Sequence, residues 1–287
     1  MNFMKLYLTI SFTLVSILSL QQGNAQQLSG FSQGKGKLAV AISTTREKYD
    51  EFYFGDMKTA LSKTNLDKVV TQSINFYTAY GLSSKTDLIL NIPYIFTKSH
   101  QVTDNKEVSE KHFQDATIGI QSKFYQKEDS AGAFSVTGGV SLSTPLSKYL
   151  TNVIYAIGNR STQITPSALL QYKFANGIFI NGQGGYSLKT NKVPNAVVSA
   201  AKIGYAGKKV YIEAYISNQT STGGIDIGGP GFTPERFPET KVNTTNIGAS
   251  VYFAGVTLGA GKRLSGRNAG LPSYYTIGLA YTFKLGK

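Results

Sequence analysis

The sequence predicts an all-β chain: a closed antiparallel up-and-down transmembrane β-barrel of about twelve strands, preceded by a cleaved signal peptide. Three observations predict it. Residues 273–285 alternate, with Tyr275, Ile277, Leu279, Tyr281, Phe283 and Leu285 on one face and Thr276, Gly278, Ala280, Thr282 and Lys284 on the other. That alternation lasts for the ~9–11 residues a tilted strand needs to cross a bilayer, past the ~5–6 of a common soluble strand. The same rhythm recurs along the chain, and the connections between its runs alternate long and short. An apolar stretch near the N-terminus supplies the third observation.

Residues 1–25 read as the signal peptide and 26–287 as the barrel. Lys5 gives the first segment its positive charge, 6–20 are apolar, and Gly23 and Ala25 are the small residues before a cut. A retained helical anchor is the alternative, but it asks for ~20 apolar residues. No later stretch is apolar enough for a spanning helix, so any membrane crossing is by strands.

The strands are expected at 37–46, 70–81, 87–98, 113–125, 133–144, 162–174, 177–188, 196–206, 209–219, 241–253, 256–265 and 273–287. Leu38, Val40 and Ile42 share the oily face of the first. Leu88, Leu90, Ile92, Tyr94 and Phe96 share that of the third. Ile89, Ile95, Leu169 and Phe179 break the rule by falling on polar faces. Short turns are expected at 82–86, 126–132, 175–176, 207–208 and 254–255, and long loops at 47–69, 99–112, 145–161, 189–195, 220–240 and 266–272. Membrane barrels have long outer loops and short periplasmic turns. Pro93 falls inside a strand, where it cannot donate to the ladder, and so predicts a bulge or kink.

Composition sets further bounds. The chain has 287 residues and no Cys, which excludes disulfides and a thiolate zinc site. Its net charge of +13 raises membrane surfaces, anionic solutes and nucleic acid as partners. Lys and Arg are scattered rather than gathered on one stripe, which argues against nucleic acid.

Two resemblances add to this. Thr276, Gly278, Tyr281 and Phe283 fit the order polar, glycine, aromatic, aromatic of a C-terminal assembly signal. It resembles that of bacterial outer-membrane barrels, although here a tail, 284–287, follows the last aromatic. The stretches 80–88, 91–94, 114–124 and 139–146, with Asn91-Ile92-Pro93-Tyr94 and Ser143-Thr144-Pro145-Leu146 among them, resemble the meta-pathway phenol-degradation family of outer-membrane barrels. Gln114 stands where that family has a glycine, and Leu146 where it has Thr-Gly. The resemblance implies passage of small aromatic or hydrophobic compounds and carries over no catalytic residue. The expected place is the bacterial outer membrane. Expected partners are its lipid, lipopolysaccharide, the barrel-assembly machinery and a small-molecule solute.

Residues phased toward the bore include Lys37, Asp87, Asp115, Lys123, Lys173, Lys202, Glu213, Arg263 and Lys284. A Lys or Arg facing lipid at mid-membrane would cost ~2–4 kcal/mol, so the barrel requires this phase. The basic excess favours anionic solutes, unless the side chains pair and plug the bore themselves. His100 and His112 flank one loop without a serine nucleophile or a carboxylate arrangement of known spacing. Neither catalysis nor a metal is expected, nor is any cofactor. The glycines of 223–231 lack the lysine of a phosphate loop and read as an outer loop able to fold into the mouth. Glu47, Asp50, Glu51 and Asp56 read as a solvated face. Tyr49, Phe52, Tyr53 and Phe54 read either as a cover over the mouth or, preferred, as a membrane-interface girdle. A non-conducting structural or adhesion barrel, acting through its loops, is the competing function, and an embedded hydrolase a third.

Overall fold

The computed structural model describes residues 28–285; the expected signal peptide lies outside them. Fifteen strands follow in order: β1 (Lys37–Tyr49), β2 (Glu51–Phe54), β3 (Met57–Ala60), β4 (Leu66–Gly81), β5 (Thr86–Gln101), β6 (Lys106–Phe113), β7 (Asp115–Glu128), β8 (Gly132–Pro145), β9 (Gln163–Phe174), β10 (Ile178–Lys189), β11 (Ala196–Ala206), β12 (Val210–Ser221), β13 (Asn243–Phe253), β14 (Val256–Arg267) and β15 (Ser273–Lys284). Twelve of them make one wall in which each strand is antiparallel to its chain neighbours. β1 closes it by pairing with β4 on one side, Ala39 opposite Ala79, and with β15 on the other, Ala39 opposite Thr282. Closure leaves no free edge, the condition for strands to live in hydrocarbon.

The skin follows from the alternation. Ile42, Ile74, Phe76, Ile118, Leu142, Ile164, Leu170, Ile180, Ile203, Ile216 and Ile277 all point outward and are exposed. Their neighbours on the same strands, Ser73, Asn75, Thr165, Gln171 and Ser217, point inward and are buried.

Among the bulges that adjust this wall, two involve β7. β5 pairs with β7 as far as Asn91 opposite Thr117, then with β6 from Tyr94 opposite Phe113. Two residues of β5 therefore face three of the partner, and Gln114 N donates to Pro93 O at 3.0 Å. Within a strand a residue's N–H and C=O point to the same side, so the donor Pro93 lacks would face this bulge. The expected kink at Pro93 is present, and β6 runs on above it, where 99–112 reads from sequence as a loop. The second bulge shifts the register between Lys123 and Tyr125, and it turns both Phe124 and Tyr125 outward. The 47–69 segment is likewise more ordered than a loop. It holds the β2–β3 hairpin and a 3-10 turn, Leu61–Thr64.

Candidate functional site: the bore and its two closures

At the end bearing the short turns, the bore is filled by the chain itself. Residues 28–36 run inside the cylinder before β1 begins. Backbone bonds to the wall begin only at Gly36, whose N–H meets Gly81 O at 2.8 Å; before it the wall's side chains hold the segment. Gln183 Oε1 accepts from Leu28 N at 2.9 Å, and Gln121 Oε1 accepts from Ser29 N at 2.9 Å. Gln171 Nε2 donates to Gly30 O at 3.2 Å. Asp87 Oδ1 accepts from Gln33 N at 3.1 Å, while Gln121 Nε2 donates to Asp87 Oδ2 at 3.1 Å. These partners come from β5, β7, β9 and β10, which lie along one arc of the wall.

An apolar contact adds to the grip. The Phe31 ring packs edge-on to Phe179 at 5.3 Å, and Phe179 stacks on Tyr211 at 5.5 Å. Fit is close where glycine stands: a Cβ on Gly81 would fall 2.0 Å from Gly34 O. The wrong-phase apolar residues are explained here and one level up. Phe179 is fully buried against the plug, Ile89 packs with Ala39, Tyr77 and Ala79, and Ile95 packs with Tyr149 and Ile157 of the 146–162 loop. Leu169 is as deeply buried.

Midway, the inward charges are mostly satisfied. Lys202 Nζ sits 3.2 Å from Glu213 Oε2, and Tyr211 OH donates to the same oxygen at 2.8 Å. Tyr149 OH donates to Asp115 Oδ1 at 2.5 Å. Lys123 and Lys173 are half-buried near the short turns and make no ion pair among the described residues. Lys37 lies opposite Lys284 at the rim, and Lys284 is exposed. The nine candidates thus fall at several depths and do not form one cluster.

At the other end three loops close the mouth. Phe52, Leu61, Leu66, Val69 and Ile227 are buried together, with Tyr49, Phe54, Ile154, Tyr155, Phe232 and Phe237 packed on them. The preferred girdle reading of Tyr49, Phe52 and Phe54 is therefore corrected. Their rings find apolar partners over the bore, which removes more of their surface from water than a rim position would. Tyr53 N donates to Ala269 O at 2.9 Å in the same lid.

Asn268 and Arg267, where β14 ends, tie two of these loops to the wall. Asn268 Oδ1 accepts from Gly55 N at 2.7 Å and Ile227 N at 3.0 Å, and its Nδ2 donates to Lys241 O at 2.9 Å. Beside it Arg267 grips Asp226 with two bonds, 2.8 and 2.5 Å. The Arg267 guanidinium first, and then the Asn268 amide, hold the Asp226 carboxyl below its usual range. The glycine-rich loop is thus pinned over the mouth.

Glu47 departs from the solvated-face expectation, since it is half-buried and phased inward with Thr45 and Tyr49. Glu51 pairs with Lys58 at 2.8 Å. His100 meets Asn105 at 3.0 Å, and His112 lies 3.6 Å from Glu110. Among the described residues no group of His, Asp and Glu could hold a metal.

Near the long-loop end, the ends of β10, β12, β13 and β14 and the loops beside them line a cavity of about 200 Å³. A larger concavity, about 850 Å³, lies on the lipid side of the wall, over Ala201, Ala214, Ala249 and Ala260, and is no part of the bore. The plug carries no two-residue rhythm, so sequence reading missed it. Its available signal was the set of apolar residues on the inner face.

No protein-family model and no curated protein matches the sequence. Solved structures do. An outer membrane channel from Pseudomonas putida F1 is 13% identical, with a TM-score of 0.68, over 91% of this chain and all of that one. The KdgM porin in complex with disordered oligogalacturonate is 11% identical with a TM-score of 0.48, over 85% of this chain and 99% of that one. The likeness to the first shows the fold, that of outer-membrane barrels. The phenol-degradation resemblance is supported as far as that fold.

Proposed function

We propose that this chain is an outer-membrane channel for small solutes, drawn in a closed state. One observation carries this: an oily-skinned, edge-free cylinder encloses a polar inner face with open volume near its long-loop end, and its two ends are closed by segments other than the barrel strands. Neither closure belongs to the wall. The plug is the chain before β1, and the lid is made of loops.

The solute is small, and either hydrophobic, as the family resemblance implies, or anionic, as the basic excess implies. Location in the bacterial outer membrane, export by the signal peptide, and contact with lipopolysaccharide belong to the same proposal. So does recognition by the assembly machinery at Thr276, Gly278, Tyr281 and Phe283. Tyr281 and Phe283 stand exposed on the outer face, and a Cβ on Gly278 would lie 2.8 Å from Ser43 Cβ at the closing seam.

The double closure equally supports a non-conducting barrel that acts through its loops. Planar-bilayer recording and liposome swelling with purified protein separate the two. The channel requires stepwise currents and solute flux. Silence in both assays, even after the plug is dislodged, leaves the structural barrel.

A further inference from the structure

We propose that the chamber near the long-loop end of the bore is a binding site for a small oxyanion, a carboxylate or a phosphate. Its wall carries two cations, Lys189 at the end of β10 and Arg263 on β14, and no carboxylate. Gln219, Ser221 and Thr244 complete the polar lining.

Lys189 is the telling residue. Its side chain is half-buried, yet among the described residues its ammonium meets no hydrogen-bond acceptor and no carboxylate. Of the other inward lysines, Lys202 is paired with Glu213, and Lys123 and Lys173 lie unpaired among the described residues at the opposite end near the short turns. A sheltered, unpaired ammonium is costly unless something compensates it.

Arg263 is held ready. Its Nε donates to Asn246 Oδ1 at 3.0 Å and one terminal nitrogen to Gly270 O at 2.9 Å. Those bonds fix the guanidinium plane and leave further donors of its five for a ligand. Glu47 is the carboxylate whose charge reaches Arg263, and it is not on the chamber wall.

A second observation points the same way. Thr244 is 5% exposed, and its hydroxyl has no partner among the described residues. Native proteins rarely leave such groups unsatisfied without a water or ligand nearby. An oxyanion would accept from the ammonium and the guanidinium together, in charge-assisted bonds about twice as strong as neutral ones. At about 200 Å³ the chamber is smaller than the ~300–1,000 Å³ sites of drug-sized ligands, which selects a small acid.

This rests on the channel reading and deepens it by naming the solute class held near the mouth of the bore. Binding is therefore tested apart from conduction. Calorimetry would follow benzoate and inorganic phosphate binding to the detergent-solubilised full-length barrel, with heat-modifiable gel mobility confirming the fold of each variant. Wild type should bind at least one of the two anions, and benzamide, the neutral isostere of benzoate, should not bind. Lys189→Gln should weaken anion binding by about tenfold or more, the loss of one charge-assisted bond, and Lys189→Arg should restore it. Lys192→Gln removes the same charge from an exposed loop position and should leave binding unchanged. The proposal is overturned if neither anion binds, if Lys189→Gln binds like wild type, or if Lys192→Gln weakens binding equally. A barrel that binds but never conducts keeps the site and removes the channel; one that conducts without binding does the reverse.

Discussion

Gly81→Ala is expected to unseat the plug while leaving the wall intact. The new Cβ would lie 2.0 Å from Gly34 O, a separation no real Cβ contact tolerates, and the obstacle is backbone. Gly81 does not have a positive φ, so alanine itself fits the strand. Relief must come from the plug lifting away. That breaks the bond from Gly36 N to Gly81 O, 2.8 Å, and strains the one from Gln33 N to Asp87, 3.1 Å. A neutral bond contributes about 1 kcal/mol and one to a charged acceptor about 1.5–3, so seating weakens by about 2–4 kcal/mol. That is a shift of roughly 30- to 1,000-fold in the plug equilibrium. The chain has no Cys, so Ser29→Cys gives a unique label. In the seated plug its backbone is held by Gln121. Maleimide labelling of Cys at 29 should accelerate at least about thirtyfold when Gly81→Ala is added. Equal rates in two folded barrels would refute the claim that residues 28–36 are held by this close fit.

Three further outcomes follow from the lid and the mid-bore pair. Asp226 is held below the usual carboxylate range, so its clamp on Arg267 stabilises the lid above the ordinary carboxylate pKa of about 3.9 and is lost only as pH falls through the lower folded value. Bilayer conductance of the plug-displaced protein should therefore be flat from neutral to mildly acidic pH and rise only in strong acid, whereas Asp226→Asn should already conduct more at pH 7. Asn268→Ala removes acceptors for Gly55 and Ile227 from a residue at φ 49°, and it should expose loops 50–65 and 222–242 to protease without changing heat-modifiable mobility. Glu213→Ala strands Lys202 where its side chain is only 9% exposed and should cost about 3–5 kcal/mol, read as a lower urea midpoint for barrel unfolding.

The wall was legible because hydrocarbon outside and water or polar contacts inside impose one rule on every strand. The run 196–206 matches β11 end to end, since Asn195 and the Gly207 turn bracket it. The run 113–125 merged the end of β6 with β7, because a bulge at Gln114 does not interrupt alternation visibly. The closures were less legible. The plug's bonds go to Gln183, Gln121 and Asp87 across 155, 92 and 54 residues of sequence, a distance no local pattern encodes. The lid's aromatic residues were visible, but a ring at a mouth and a ring at a membrane rim look alike in sequence. Only the partners Leu61 and Ile227 decide between them. The chamber could not be foreseen for the same reason: Lys189 and Arg263 lie on strands β10 and β14, far apart in the chain.

The central claim is a cylinder with hydrocarbon outside and a polar bore inside. It is tested most directly by a spin-label scan of β15, one cysteine at a time from Tyr274 to Phe283, in lipid vesicles. Oxygen accessibility should peak at Tyr275, Ile277, Leu279 and Tyr281 and fall at Thr276, Gly278 and Ala280, with a period of two, and a water-soluble nickel reagent should not reach the oxygen-rich positions. Nickel access to Ile277 and Leu279 equal to that of a loop label, or no periodicity at all, would contradict the account.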